Sequence, residues 1–168
     1  MATWISHLRL AELLLGRIEG LDPALFAIGN IAPDSGIPDE NWEQFTPDPT
    51  VTHFKVGGDG EYTLADVEFY RAYLVPLRRQ ARGADFSLRL GYWFHLLTDN
   101  LWVRETWKPA HARYAAQFAA DAKFGWTIKE DWYGLDFRYV RDHPDCLFWR
   151  VFLSASCADS GVDFMPQE

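Results

Sequence analysis

The chain has 168 residues, 48% of them hydrophobic and 24% charged, a balance that excludes intrinsic disorder and fits one domain over residues 1–168. Its 24 acidic and 16 basic residues give a formal charge of −8, which argues against a protein that coats nucleic acid, because such binding relies on Lys and Arg to neutralise phosphates. No uncharged apolar run of about 18 residues is present, so we expect no transmembrane helix.

Apolar residues at helical spacing predict a first helix over residues 4–18. Asp22 followed by Pro23 is typical of a helix start, and predicts a short second helix that runs to about Asn30. The Pro- and Gly-rich stretch 34–62 is predicted to be a long loop of the kind that is often functional. The same periodicity predicts the remaining helices, over residues 63–82, 86–107, 110–123, 130–141 and 147–158.

The helix over residues 86–107 is the most apolar of these and is predicted to be buried at the centre. The sequence therefore predicts an all-α fold, a multi-helix bundle around a buried central helix. The N-terminal residues do not have the pattern of a signal peptide, and Cys146 and Cys157 match no metal-binding pair. We expect two free thiols and a cytoplasmic protein.

Two polar residues, His95 and Asp99, interrupt the apolar central helix and project from one of its faces, because they are four residues apart. A buried carboxylate is costly unless it is paired or bound to a metal. From these two residues alone, a hydrogen-bonded His–Asp pair and a metal site explain the pattern equally well.

Three further residues favour the metal site. Asp34 lies in a Pro-Asp-Ser-Gly turn, His53 lies in a short apolar island of the long loop, and His7 lies in the first helix. Each alone has an ordinary interpretation as a turn former, a loop histidine or a half-buried surface residue. Together with the central pair they supply three imidazoles and two carboxylates, which are ligands that bind zinc. The remaining histidines, His111 and His143, lie among charged or turn residues and are predicted to face solvent.

The order of these motifs resembles the zinc-dependent phospholipase C family over residues 4–107. A helical His is followed by Ile-Ala-Pro-Asp-Ser-Gly, then Thr-His-Phe, then Gly-Tyr-Trp-Phe-His-Leu-Leu-Thr-Asp. The superfamily also contains secreted single-strand nucleases, which are all-α with a three-zinc cluster. The resemblance implies that one metal is bound by Asp34, His53, His95 and Asp99, that Asp99 bridges to a second metal, and that His7 binds this second metal.

The chain also departs from the family pattern. Glu105 stands where the family has a metal-binding His, and it is either a substitute ligand or a surface residue. Trp132 and Asp136 stand where the family has a His and an acidic residue four apart, and Trp cannot bind a metal. In the secreted members the free amino terminus also binds metal, and removal of Met1 would leave Ala2 at a similar distance from His7.

The resemblance implies one to three zinc ions, with Mn²⁺ or Mg²⁺ possible at a weaker, carboxylate-rich site. It predicts a hydrolase of phosphoric esters in which Asp34 accepts a proton from the attacking water. The substrate would be a small-molecule or lipid phosphoester, while a nucleic acid is possible but disfavoured by charge. The alternative is a catalytically silent metal-binding or scaffold domain that retains the fold.

Overall fold

The structure, a computed structural model, describes residues 1–41, 43–56, 63–78, 83–156 and 162. These residues are mostly helical, which confirms the all-α prediction. Within them, no helix is both long and apolar enough to cross a membrane. The α-helices are α1 (Trp4–Leu15), α2 (Pro23–Gly29), α3 (Pro49–Thr52), α4 (Asp66–Phe69), α5 (Ala84–Trp102), α6 (Lys108–Arg113), α7 (Ala115–Ala120), α8 (Phe124–Asp142) and α9 (Leu147–Arg150).

The first two helices begin where their capping residues predict. The Thr3 hydroxyl accepts a hydrogen bond from the Ser6 backbone, and the Asp22 carboxylate accepts one from the Leu25 backbone with Pro23 at the first helical position. Helix α1 ends earlier than predicted, at Leu15, because the chain leaves the helix at Gly16. Capping therefore locates the start of these helices better than periodicity locates their ends.

The predicted long loop contains more structure than its composition indicates. Two antiparallel ladders of two residues per strand form there, β1 (Ile37–Pro38) with β2 (Phe45–Thr46), and β3 (Lys55–Val56) with β4 (Thr63–Leu64). Helix α3 lies between them, and the 3₁₀ turn Ala32–Asp34 precedes them. Residues 57–62, part of the predicted loop, lie outside the described residues.

The predicted helix over 63–82 is shorter and irregular. Helix α4 continues as a wide π turn, Tyr70–Leu74, and then as the 3₁₀ turn Val75–Leu77. Pro76, which cannot donate a backbone hydrogen bond, lies in this last turn and explains why the regular helix does not continue. Residues 79–82 lie outside the described residues.

The C-terminal helices also differ from the predicted ranges. The segment 110–123 is divided at Tyr114 into α6 and α7, α8 begins earlier than predicted, and α9 ends at Arg150. A short 3₁₀ turn, Phe152–Ser154, follows α9. Cys146 is buried with a free thiol, whereas Cys157 lies outside the described residues.

Helix α5 is the buried central helix that the sequence predicts. Its buried residues recur at helical spacing, and Leu90 packs in one core cluster with α1, α2 and α9, while Tyr92 and Leu96 pack in a second with Phe69 and Leu64. The helix continues past Trp102 as a wide π turn, Val103–Trp107, before α6. It therefore carries polar residues at 95 and 99 into the middle of the protein.

Candidate metal centre

Five of the six residues predicted to bind metal lie together around α5. His7 comes from α1, Asp34 from the 3₁₀ turn after α2, and His53 follows α3; His95 and Asp99 come from α5. The side chains of all but Asp34 are at most 2% exposed, and the Asp34 side chain is 12% exposed. The fold thus concentrates imidazoles and carboxylates at one buried point.

Asp34, His53 and His95 form one group of possible ligands, and Asp99 lies beside two of them. The His53 Nε2 atom lies 3.2 Å from Asp34 Oδ1 and 3.4 Å from His95 Nε2. Asp99 Oδ2 lies 3.6 Å from each of these two Nε2 atoms. Zinc bonds of about 2.0–2.1 Å at tetrahedral angles separate neighbouring ligand atoms by about 3.3 Å. The separations of His53 from Asp34 and from His95 match that value, so one ion can contact these three side chains.

The two central histidines are oriented as metal ligands usually are, because each donates its other ring nitrogen to a backbone carbonyl. His95 Nδ1 donates to the carbonyl of Asn30 at 2.8 Å, and His53 Nδ1 donates to the carbonyl of Pro49 at 3.1 Å. When both rings are neutral with these protons on Nδ1, their Nε2 lone pairs point at each other. Such lone pairs repel unless a cation or a proton lies between them.

Asp99 also faces a second group of ligands. Its Oδ1 atom accepts a hydrogen bond from the Ala2 backbone nitrogen at 2.7 Å and lies 3.5 Å from His7 Nε2, too far for a well-formed hydrogen bond. The His7 ring stacks on the His95 ring at 3.9 Å. Among the described residues, neither ring nitrogen of His7 has a hydrogen-bond partner. The Asp99 Oδ2 atom has none either. These buried polar atoms therefore lack the partners that a bound cation can supply.

Electrostatics also favour a cation at this site. Burial opposes ionisation of Asp34 and Asp99, but the nearby imidazoles, His53 beside Asp34 and His7 and His95 beside Asp99, outweigh it and lower the pKa of both carboxyl groups. Burial and the adjacent His95 ring lower the pKa of His7 to about 4, so this ring is neutral at pH 7. Burial likewise opposes protonation of His95, but the Asp99 carboxylate outweighs it and raises the pKa. Two buried carboxylates need positive charge nearby, and a metal ion can provide it.

Local structure explains how His53 and His95 reach this point. The Asp48 carboxylate caps α3 by accepting a hydrogen bond from the Thr50 backbone at 2.7 Å, and His53 follows at the other end of this single turn. Tyr92, one turn before His95 on α5, donates a hydrogen bond to the Thr52 carbonyl. The short helix α3 is thereby attached to α5 next to the ligands.

The carbonyls of Asn30 and Pro49 are functional groups that sequence reasoning missed. Backbone carbonyls carry no side-chain signal, so the pattern of residue types cannot reveal them. Asn30 itself is fully buried and its amide donates to the Phe26 carbonyl at 2.9 Å. An Asn directly after a predicted short helix was the one available signal, because a buried amide in that place must have partners.

Three residues at which the chain was compared with the zinc-dependent phospholipase C pattern lie apart from the cluster. Glu105 lies in the wide turn after α5, its side chain is 64% exposed, and its carboxylate is 2.6 Å from Nε of Arg104. Trp132 packs edge-on against Trp102. Asp136 is half-buried on α8 and belongs to neither group of possible ligands. Among the described residues, therefore, no third ligand group accompanies the two that share His95.

The two remaining histidines are exposed, as predicted. His143 donates Nδ1 to the Tyr139 carbonyl at 2.9 Å, and His111 stacks on Phe118. His111 also lines a cavity of about 620 Å³ that reaches Asp99. The cluster is thus accessible from a space large enough for a small molecule.

Buried His7, His53, His95 and Asp99, with Asp34 beside them, can hold a metal ion, and the donor set of imidazoles and carboxylates suits zinc. Comparison of the chain with family models, with curated proteins and with solved structures finds no match.

Proposed function

We propose that the protein is a metal-dependent hydrolase of phosphoric esters that acts in the manner of the zinc-dependent phospholipase C family. The observation that carries this proposal is the pair of Nε2 atoms of His53 and His95, which face each other at 3.4 Å with both Nδ1 atoms engaged by carbonyls. A buried His–Asp hydrogen-bonded pair would direct one ring N–H at the carboxylate instead. The facing lone pairs favour the metal site over that alternative.

In this proposal Asp34, His53, His95 and Asp99 would hold one zinc ion, and Asp99 and His7 would hold a second. The Ala2 backbone nitrogen, 2.7 Å from Asp99 Oδ1, marks where a free amino group of Ala2 would join that second group. Mn²⁺ or Mg²⁺ would suit a position with more carboxylate oxygen. Bound ions of this kind lower the pKa of water and neutralise charge on a phosphate.

Asp34 is the residue proposed to accept a proton from the attacking water. It is the most solvent-accessible carboxylate of the cluster, and its lowered pKa keeps it ionised and able to accept a proton at neutral pH. His53 holds its Oδ1 atom at 3.2 Å. The carbonyls of Asn30 and Pro49 keep the His95 and His53 rings in place while the reaction proceeds.

A second candidate function is a catalytically silent metal-binding domain. The exposed position of Glu105 and the presence of Trp132 favour it, since both residues depart from the family's ligand set. Such a protein would bind one ion between Asp34, His53 and His95, and this ion would only stabilise the fold. The two candidates differ in the number of bound ions and in hydrolysis.

The test is elemental analysis of the purified protein together with hydrolysis of 4-nitrophenyl phosphate and bis(4-nitrophenyl) phosphate. We expect the wild type to bind about two ions per chain and to hydrolyse these esters until a chelator removes the metal. His95→Ala and Asp99→Asn should bind less metal and should lower the activity about 100-fold or more. His143→Ala, an exposed histidine outside the cluster, is the matched control and should keep both. One ion without hydrolysis would support the silent domain, and no metal at all would contradict both.

A further inference from the structure

Lysines are concentrated at the cavity that reaches Asp99, although the protein as a whole is acidic. The sequence contains four lysines, and three of them, Lys55, Lys108 and Lys129, line this cavity. They come from β3, from the start of α6 and from α8, so the fold and not the sequence brings them together. Asp99, already part of the cluster, is the one carboxylate among the described residues that line the cavity.

One continuous helical stretch supplies several of the residues that line the cavity. Asp99, Val103, Trp107 and Lys108 follow one another on the continuous stretch from α5 through the wide turn into α6, and all line the cavity. Nine residues of helix correspond to roughly 13 Å of rise, so the Lys108 backbone lies well away from the cluster. A ligand with its phosphorus group near Asp99 would pass the apolar side chains of Val103 and Trp107 before it reached this lysine.

Lys129 of α8 and Lys55 of β3 are the other two lysines that line the cavity. The Lys129 ammonium lies 4.7 Å from the centre of the Trp126 ring, a cation–π contact that restricts where the charge can be. Lys55 approaches from the β3–β4 ladder, next to Leu64, which lines the same cavity. Three lysines from three separate elements therefore line one cavity, and ammonium groups can form charge-assisted hydrogen bonds with a negative group of a ligand.

We propose that Lys55, Lys108 and Lys129 bind a second negative group of the substrate, so that the site takes small phosphoesters with a carboxylate or further phosphate in preference to zwitterionic headgroups. This inference rests on the proposed function, because it assumes that the phosphorus group is bound at the cluster. It adds the substrate class: a small, multiply anionic phosphoester. The cavity volume of about 620 Å³ is in the range of small-molecule sites.

Calorimetric titration of the zinc-loaded protein with two non-hydrolysable ligands tests the inference. Phenylphosphonate and 4-phosphonobenzoate share the phosphonate and the ring and differ by one carboxylate. We expect 4-phosphonobenzoate to bind about tenfold more tightly at low salt, since a charge-assisted hydrogen bond contributes on that order. The preference should shrink as salt is added, because the cavity is open to solvent.

Single variants assign the preference to the three lysines. Lys55→Gln, Lys108→Gln and Lys129→Gln should each reduce the ratio of the two affinities about threefold or more, while the metal content and phenylphosphonate affinity change little. Lys123→Gln, the exposed fourth lysine outside the cavity, is the matched control and should leave the ratio unchanged.

Equal affinity for the two ligands would overturn the inference, and so would a preference that none of the three variants reduces. In either case, metal-dependent binding of phenylphosphonate would leave the proposed function standing. A protein that bound neither metal nor phenylphosphonate would overturn both.

Discussion

His95 shows how neighbouring groups convert a buried histidine into a candidate metal ligand. Its Nδ1 atom donates to Asn30, its ring stacks on His7, and its Nε2 atom faces His53 and Asp99. The ring is fully buried, so it cannot turn to find other partners without breaking these contacts. For single residues, therefore, the hydrogen bond at Nδ1 decides that Nε2 is the nitrogen available to bind a metal.

Glu105 is the residue for which the sequence left two interpretations, a substitute ligand or a surface side chain. Because it is 64% exposed and pairs with Arg104, we expect Glu105→Ala to leave the number of bound metal ions unchanged. The free energy of unfolding should change by less than about 1 kcal/mol, since exposed ion pairs contribute little. Elemental analysis and a melting curve of the variant check both, and the loss of one ion would show that Glu105 binds metal.

Helices α2 and α5 cross at two glycines, and this crossing places the ligands. A Cβ atom at Gly29 would lie 2.1 Å from the Leu88 carbonyl oxygen, and one at Gly91 would lie 2.3 Å from the Phe26 carbonyl oxygen. Only glycine permits this approach, which brings the Asn30 carbonyl against His95, one turn after Gly91. At the scale of elements, close backbone contact decides the orientation of a ligand.

Gly91→Ala should therefore lower the free energy of unfolding by about 3 kcal/mol or more and weaken metal binding, because α2 and α5 must separate to accommodate the methyl group. Gly134→Ala is the matched control in the exposed part of α8, where a Cβ would have no atom within 4 Å. There alanine should stabilise the protein by about 0.5–1 kcal/mol, the difference in helix propensity. Urea unfolding of both variants measures the effects; a Gly91→Ala protein as stable as the wild type would show that the helices are not in such close contact.

The candidate ligands come from segments far apart in the chain, so a metal ion would tie the whole molecule together. Ala2 and Asp99, which are in hydrogen-bond contact, are separated by 97 positions. α1, the turn after α2, α3 and α5 each contribute at least one side chain to the cluster. Because the unfolded chain does not hold these groups together, metal binding would add directly to the stability of the fold.

Removal of metal should thus lower the melting temperature. An ion present at about 1,000 times its dissociation constant stabilises a protein by about 4 kcal/mol, which for a chain of this length corresponds to roughly 10 °C. Melting followed by circular dichroism, which should show a predominantly helical protein, measures the difference between untreated and chelator-treated protein. The His95→Ala variant should not respond to the chelator. If the chelator leaves the wild type unchanged, a buried hydrogen-bonded group of His and Asp is the better description.

The sequence by itself determined the helical class, the buried central helix and which side chains were candidates for the site. Helical periodicity, the cap at Asp22 and the cost of burying His95 and Asp99 are local properties, and local properties can be read along the chain. The resemblance to the zinc-dependent phospholipase C family selected six candidate metal ligands, and five of the six lie together in the structure.

The tertiary structure decided the features that depend on distance and orientation. The free nitrogen of each imidazole, the contact of Ala2 with Asp99, the exposure of Glu105 and the gathering of Lys55, Lys108 and Lys129 are examples. Each of these results from backbone carbonyls or from helices that meet across long stretches of sequence. Residue types and spacing carry no record of such contacts, because packing between distant segments sets them.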